Sequence, residues 1–426
     1  MSDRRRGPAT GWFGIYYGWY VVGATMLVMT VASGLGFYNL SVYLKAFVGH
    51  GGFSVLAASG ATACFFIASG VAGLGVGALI EKYDVRFMLT AGAIICSVAM
   101  FAAAHVTALW QLYGFYILFG VGYSACGLIP GTTLVARWFA RRRSQALSIA
   151  STGLSLGGIL LTPLSARLIA HVGFAGAAPW LALVFMLGIV PVAWIAIRPS
   201  PLDYGVGPDG DPLHRDESGA LLPADGVAFH DAIGSRFFVL TTLAFIFAMM
   251  AQVGSIAHQF SLVAGRTASD EMAGLAVAVL ASASIAGRLI GGWALAYISS
   301  RGFVLALLVA QGIALVLFAF AQGIGLIFVA GLFGCTVGNL LMMQPLILAE
   351  AFGLRAYGRI FSFNQLFMVA GVASGPAVMG LLFQRSGSYE DSFLTMAVAS
   401  VLAIGLIMAA GPLKAQRHIT TRQEVK

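Results

Sequence analysis

Long uninterrupted apolar runs alternate along the chain with short polar gaps, and the alternating period of membrane-barrel strands is absent. Windows of about 20 apolar residues, the helix length that crosses a bilayer core, fall at 17–44, 54–80, 86–105, 108–136, 144–170, 175–197, 236–264, 272–298, 302–321, 323–350, 358–384 and 390–412. The pattern therefore predicts twelve transmembrane helices. The one long polar stretch, "RPSPLDYGVGPDGDPLHRDESGALLPADGVAFHDAIGSR", is rich in Pro, Gly and Asp and separates the sixth run from the seventh. It divides the chain into a tail 1–15, a six-helix half 16–198, a linker 199–235, a second six-helix half 236–412 and a tail 413–426.

The two halves read as copies. "GVGALIEKYDVR" after span 2 has a degenerate partner in "GGWALAYISSRG" after span 8, aligning Gly77 with Gly292 at an offset of 215. "LFG" at Leu118 in span 4 recurs at Leu332 in span 10, offset 214, and Gly158 and Pro163 in span 5 repeat as Gly371 and Pro376 in span 11, offset 213. Near-constant offsets across corresponding helices indicate a tandem duplication. The expected fold is an all-α membrane protein of twelve helices in two pseudo-symmetric six-helix halves, related by an axis along the membrane normal, with a mid-depth site between them.

Composition agrees: 59% of the 426 residues are hydrophobic and 9% charged, which leaves too little polar surface for a soluble protein. The 54 glycines suit helices that pack closely in lipid. The net charge of +8 comes from residues in the gaps between runs, which makes it a topology signal and not a nucleic-acid surface. With the N-terminus inside, 19 of the 24 Lys and Arg residues fall inside, Lys45, Arg167, Arg266 and Arg385 fall outside, and Arg288 falls in the membrane. Both termini are therefore expected in the cytoplasm and the chain in the cell (inner) membrane. The first run is too long for a signal peptide and lacks a cleavage site, so it reads as a retained span.

Cys64, Cys96, Cys126 and Cys335 lie in apolar segments without paired spacing, so neither a disulfide framework nor a zinc site is indicated. Met249, Met250, Met342 and Met343 read as packing and not as soft metal ligands. No phosphate-binding loop is present. A transporter without enzymatic activity, cofactor or metal is expected, working as a monomer on a small organic anion, with protons as a candidate co-cargo.

Arg288 is the singular residue. Its nearest ionisable neighbours along the chain, Glu271 and Arg301, are 17 and 13 residues away, about 25 and 20 Å of helix. A charge at mid-membrane costs about 3 kcal/mol on insertion scales, and such residues normally face a cavity and carry function. The 16 acids fall at span ends, in loops or in tails, leaving no mid-membrane carboxylate to pair with it. An unpaired guanidinium, planar and permanently charged, is matched to an anionic cargo.

The chain resembles the major facilitator superfamily, whose loop motif is carried by Gly77, Glu81, Lys82, Asp84 and Arg86, with Glu81 at the usual aspartate and Ala296 where the second copy would have an acid. More closely it is similar to the monocarboxylate and oxalate/formate carriers of that superfamily, through "YYGWYVV", "SVYLKAF", "ARWFARRRSQALSIASTGLSLGG", "RPSPLDYGVGPDGD", "GRLIGGWALA" and "YGRIFSFNQ" in order over nearly the whole chain. The resemblance implies that Arg288 binds the substrate carboxylate and that Gly77, Glu81, Lys82, Arg86 and Arg137 form a cytoplasmic gate in which the loop acid latches helix ends in the outward-facing state. The run Arg141 to Arg143 is accounted for by topology alone. This chain has Ser284 where mammalian-type carriers have an aspartate, Tyr38 in place of a span 1 lysine, and Asn364 in place of the second cation of oxalate carriers. One cation suits a monoanion.

Further binding candidates are Tyr38, Asn39, Tyr123, Gln252, Asn339 and Asn364, weighed against interhelical hydrogen bonding. Tyr123 and Asn339 are offset by 216, as expected of residues facing one cavity from the two halves. His258 is the candidate for proton coupling, weighed against a packing role. The expected activity is proton-coupled transport of lactate- or pyruvate-like monocarboxylates by alternating access. The alternatives are exchange of one organic anion for another and export of drugs or siderophores by the same fold.

Overall fold

The structure, a computed structural model, describes residues 15–49, 52–213 and 226–412. Arg4, Arg5, Arg6, Arg215, Lys414, Arg417, Arg422 and Lys426 of the charge count, and the middle of the linker, lie outside the described residues. Each predicted apolar window is helical: α1 Gly18–Gly49, α2 Val55–Lys82, α3 Val85–Ala103, α4 Leu109–Trp138, α5 (143–172) and α6 (174–195) within Arg143–Ile195, α7 Arg236–Thr267, α8 Asp270–Ala294, α9 Ser300–Phe320, α10 Gly325–Phe352, α11 Tyr357–Ser386 and α12 Glu390–Ala410. Among the described residues no sheet forms; Gly226 and Gly353 make an isolated bridge. Large apolar side chains stay exposed around the bundle, with Trp110 at one end and Tyr297 at the other, as a lipid-facing surface with interfacial aromatics requires.

Local chemistry sets the helix ends. Ser54, Asp84, Ser235, Ser269 and Ser299 cap α2, α3, α7, α8 and α9 by accepting from backbone N–H groups one turn in. Three arginines close C-termini, where the dipole favours a cation: Arg137 donates to the Ile80 carbonyl at 2.7 Å, Arg266 to Phe318 and Ala321 at 2.8 and 2.7 Å, and Arg301 to Met408 at 3.0 Å. Between α5 and α6 the sequence suggests a short loop. The break is instead one left-handed glycine, Gly173, at φ 72°. α4 breaks at Gly127, just before Pro130, which has no N–H to continue the ladder.

Two wide π-turns, Ser33–Tyr38 in α1 and Gly157–Leu161 in α5, lie against each other in the N-terminal half. Their backbones meet so closely that a Cβ on Gly34 would lie 2.6 Å from the Gly157 carbonyl oxygen, and Ser33 Oγ donates to the Leu154 carbonyl at 2.8 Å. Such turns sit inside α-helices mostly at functional positions.

The duplication is visible as contacts. The halves meet along two seams, α2 with α11 and α5 with α8. On the first, a Cβ on Gly77 would lie 2.7 Å from Cβ of Ser362, and Gly77 also meets Gly358. On the second, a Cβ on Gly292 would lie 2.5 Å from Cβ of Ser148, and Gly292 also meets Ser144. Gly77 and Gly292 are 215 apart, Ser148 and Ser362 are 214 apart, and so are Ser144 and Gly358. The seams are therefore copies of each other. The offset falls to 213 at Pro163 and Pro376 because the π-turn in α5 takes up one additional residue.

The first part of the linker folds onto the N-terminal half. Asp209, at φ 58°, accepts from the backbone N–H groups of Ala140 and Arg141 at 2.8 and 2.7 Å, and Asp211 pairs with Arg141 at 2.7 Å. Tyr204 stacks on Tyr17 at 5.0 Å. Tyr16 donates to the Trp138 carbonyl at 3.2 Å, and burial pushes its phenol up to about 12, so it stays protonated as a donor.

A Gly157→Val variant is expected to lower stability by about 1–3 kcal/mol through overpacking against the α1 backbone. Thermal unfolding in detergent reads this, and an unchanged midpoint counts against the tight crossing.

Candidate functional site

The loops bearing Lys82, Arg86, Arg137, Arg141 to Arg143, Arg198, Arg301, Arg355 and Arg359 share one end of the bundle, called here the basic end. The seams are shut there. Ser144 Oγ donates to the Gly292 carbonyl at 3.3 Å, and Ser148 Oγ to the Arg288 carbonyl at 2.5 Å. On the other seam, Glu81 Oε1 accepts from the backbone N–H of Arg359 at 3.1 Å, a carboxylate at the positive end of α11. Of the gate candidates, Gly77 and Glu81 touch the opposite half directly. Arg137 supports them by capping α2 at Ile80, Arg86 pairs with Asp84 at 2.6 Å and covers the Trp194 ring at 4.9 Å, and Lys82 is exposed.

Beyond the closed end lies a cavity of about 210 Å³ between the halves. Its apolar wall includes Phe37 and Phe66 from the N-terminal half and Leu341, Met368, Val369 and Val372 from the other. Its polar lining is Ser33, Tyr38, Ser69, Tyr123, Ser124 and Gln365. Ser33 and Ser124 already donate to carbonyls of Leu154 and Val121.

Arg288 lies at the edge of this cavity and not in its lining. It is 0% exposed. Its Nε donates to the Gly338 carbonyl at 2.9 Å, its Nη1 to the Ser151 carbonyl, and its Nη2 lies 3.5 Å from Ser155 Oγ. Ser151 and Ser155 flank Leu154, a cavity residue, and the Tyr38 phenol is within electrostatic reach of the guanidinium. The expectation of a guanidinium facing an open chamber is thus corrected: in this state it is turned onto backbone oxygens of both halves. Among the described residues no carboxylate lies within ion-pair distance of it. Because α8 ends at Ala294, the Arg288 Cα is only about 9 Å from the basic end. The side chain reaches back toward the start of its helix, as helical side chains do, to Gly338 deep in α10.

The remaining candidates divide. Tyr38 and Tyr123 line the cavity. Asn39 is buried and donates to Tyr43 Oη at 3.1 Å; Gln252 is buried with its amide 3.5 Å from the Val337 carbonyl; Asn339 donates to the Gly287 and Cys335 carbonyls at 2.8 Å. Asn364 donates to Thr242 Oγ1 at 2.8 Å and accepts from Gln344. Gln252, Asn339 and Asn364 serve interhelical hydrogen bonds in this state, and Asn39 bonds within its own helix. His258 is also outside the lining. Its Nε2 is 3.1 Å from the Pro376 carbonyl, which only accepts, so Nε2 carries the proton and Nδ1 faces the Tyr389 hydroxyl at 3.3 Å.

Two features escaped the sequence reading. Ser144, Ser148, Ser151 and Ser155 form one stripe of α5 facing α8, and their spacing of four, three and four was legible in "SQALSIASTGLS". Gln365, next to Asn364 and about 100° round the helix from it, is the residue that faces the cavity.

Two six-helix halves, closed at one end around a mid-depth cavity, define an alternating-access transporter. Residues 26–266 match the profile of the Major Facilitator Superfamily, and the chain belongs to that family. It is a multi-pass membrane transporter for a small molecule and not an enzyme. It is 25% identical to an MFS-type transporter of Gibberella moniliformis over 74% of this chain and 73% of that one. It is 26% identical to monocarboxylate transporter 13 of Bos taurus over 96% of this chain and 91% of that one. Among solved structures, the human organic anion transporter MFSD10 (TETRAN) superposes with a TM-score of 0.70 at 15% identity, covering 92% of this chain and 99% of that one, which supports the fold.

A Gly77→Leu variant is expected to force α2 and α11 apart at the basic end. Overpacking worth about 1–3 kcal/mol translates to on the order of 10-fold faster maleimide labelling of a Ser362→Cys reporter, read site by site by mass spectrometry. Equal labelling in both backgrounds would mean that the Gly77 contact does not hold the end shut.

Proposed function

We propose that this chain is a secondary active carrier of small organic monocarboxylates, with Arg288 as the partner of the substrate carboxylate. The observation that carries the reading is a fully buried guanidinium with no carboxylate beside it among the described residues, bonded to backbone oxygens of both halves at the edge of the shared cavity. Carbonyl dipoles satisfy its donors but leave the charge uncompensated. A carboxylate offers the same fork a bidentate partner together with the missing counter-charge. The similarity to monocarboxylate transporter 13 over nearly all of both chains supports the same class.

Exchange of partners couples cargo to movement in this reading. When the carboxylate takes the Nη groups from Ser151 and Ser155, it removes one rung of the α5–α8 seam, and the rungs at Ser144 and Ser148 and the Glu81 latch can then part together. The positive-inside count supports placing the basic end, and both termini with it, in the cytoplasm, so that the state described is outward-facing; in this reading the carrier works as a monomer in the cell membrane. The ring nitrogens of His258 are both engaged away from the cavity. We therefore favour a proton travelling with the acid itself, or exchange for a second anion, over relay through His258.

Export of bulkier compounds is a second reading, favoured by the apolar wall from Phe37 to Val372. Uptake of labelled lactate, pyruvate, acetate and formate into proteoliposomes, with and without a pH gradient, tests the first. Transport of at least one acid is expected, falling on the order of 10-fold or more in Arg288→Lys, which loses the planar fork. No uptake of any, with stabilisation by hydrophobic amines and not by acids in a thermal-shift screen, would favour export.

A further inference from the structure

The two seams are copies in backbone and not in filling. On the offset of 215 that pairs Gly77 with Gly292, Ser69 corresponds to Ser284 and Gly73 to Arg288. On the offset of 214 that pairs Ser148 with Ser362, Ser151 corresponds to Gln365 and Ser155 to Val369. The α5–α8 seam is thus filled by the guanidinium, which spends its donors on Ser151 and Ser155. The α2–α11 seam has no counterpart of that side chain. Gly73 stands in its place with the Ile129 side chain packed against it, 2.9 Å from where a Cβ would lie, and the cavity runs beside that contact, bordered by Ser69, Gly70, Ile129, Gln365 and Val369.

Gln365 is the residue this asymmetry leaves without a partner. Its Oε1 is buried and makes no hydrogen bond, and the residue is part of the cavity lining. An amide offers one acceptor and two donors, and a buried acceptor without a partner is costly. Around it the wall is apolar: Phe66, Leu341, Met368 and Val372. A mostly apolar wall with a few polar groups set into it, here the Gln365 amide near the Ser69 hydroxyl, is how a pocket both holds and orients a ligand body.

We propose that the α2–α11 seam is the subsite for the body of the cargo, and that Gln365 is a specificity-determining residue reading a hydroxyl or similar hydrogen-bonding group on that body. The substrate class is then a carboxylic acid with an apolar, aryl- or branched-alkyl-sized body that carries such a group. Acetate and formate are too small to use the seam. The inference rests on the carboxylate reading of Arg288.

The test compares acids that differ by one hydroxyl. Proteoliposomes of the full chain are assayed for uptake of 3-phenylpropanoate, of its 2-hydroxy and 4-hydroxyphenyl analogues, and of acetate. Wild type is expected to take 3-phenylpropanoate in preference to acetate, and one of the hydroxylated analogues on the order of 10-fold better than the parent, the size of one net hydrogen bond. In Gln365→Leu that ratio is expected to fall to near one, while Gln365→Asn retains part of it. A ratio near one in wild type, an unchanged ratio in Gln365→Leu, or a preference for acetate overturns the subsite while leaving Arg288 as the carboxylate partner. Uptake of none of these acids overturns the subsite, and the carboxylate reading falls with it if lactate, pyruvate and formate are refused as well. The wild-type ratios stand without any variant, so misfolding of Gln365→Leu does not remove the test.

Discussion

A full positive charge held in a low-dielectric interior without a counter-charge is the constraint around which this molecule is arranged. Arg288 meets it with oxygen dipoles drawn from both halves, the Ser151 and Gly338 carbonyls and the Ser155 hydroxyl. That arrangement makes the guanidinium part of the closure and not merely part of the site: it is one of the groups that joins α8 to α5. Desolvating such a charge is expensive enough that any incoming anion able to reach it has a large advantage over the dipoles it replaces. The serine stripe on α5 makes the joint possible, since a bulkier face would keep α8 and its arginine at a distance.

The paired π-turns of α1 and α5 belong to the same design. Where they cross, glycine at 34 and 157 lets the two backbones touch, and the wide turn swings Tyr38 toward the cavity and within reach of the arginine. The additional residue in α5 also explains why the internal repeat drifts from 214 to 213 along that helix. The departure from strict symmetry thus falls beside the cavity, where the two seams must differ if one of them is to hold a head group and the other a body.

Much of the fold was legible because its signals are strong and local: apolar runs of spanning length, a polar linker, and a duplication whose offsets proved to be contacts, Gly77 on Ser362 and Gly292 on Ser148. Arg288 stood out as the lone charge in an apolar run. What could not be read were its partners, because a backbone carbonyl at Ser151 or Gly338 carries no trace in residue identity. Asn364 misses the cavity by a rotation, and Gln365 beside it is in the lining: neighbours on a helix face different surroundings, and composition does not say which one meets the cavity. Gln252 and Asn339 were plausible for the same polar character that fits them to bind neighbouring helices instead, and Asn39 for the character that ties it to Tyr43 one turn along its own helix.

The joint between α5 and α6 has a mechanical consequence. With only Gly173 between two long helices there is no slack for α5 to slide past α6 along its axis. Any displacement of the serine stripe at one face of the bundle must then be taken up as tilting of the whole six-helix unit, like a rigid lever turning on its fulcrum. A longer loop there would let the seam open while its half stayed still, and the far side of the vestibule would never be told to close.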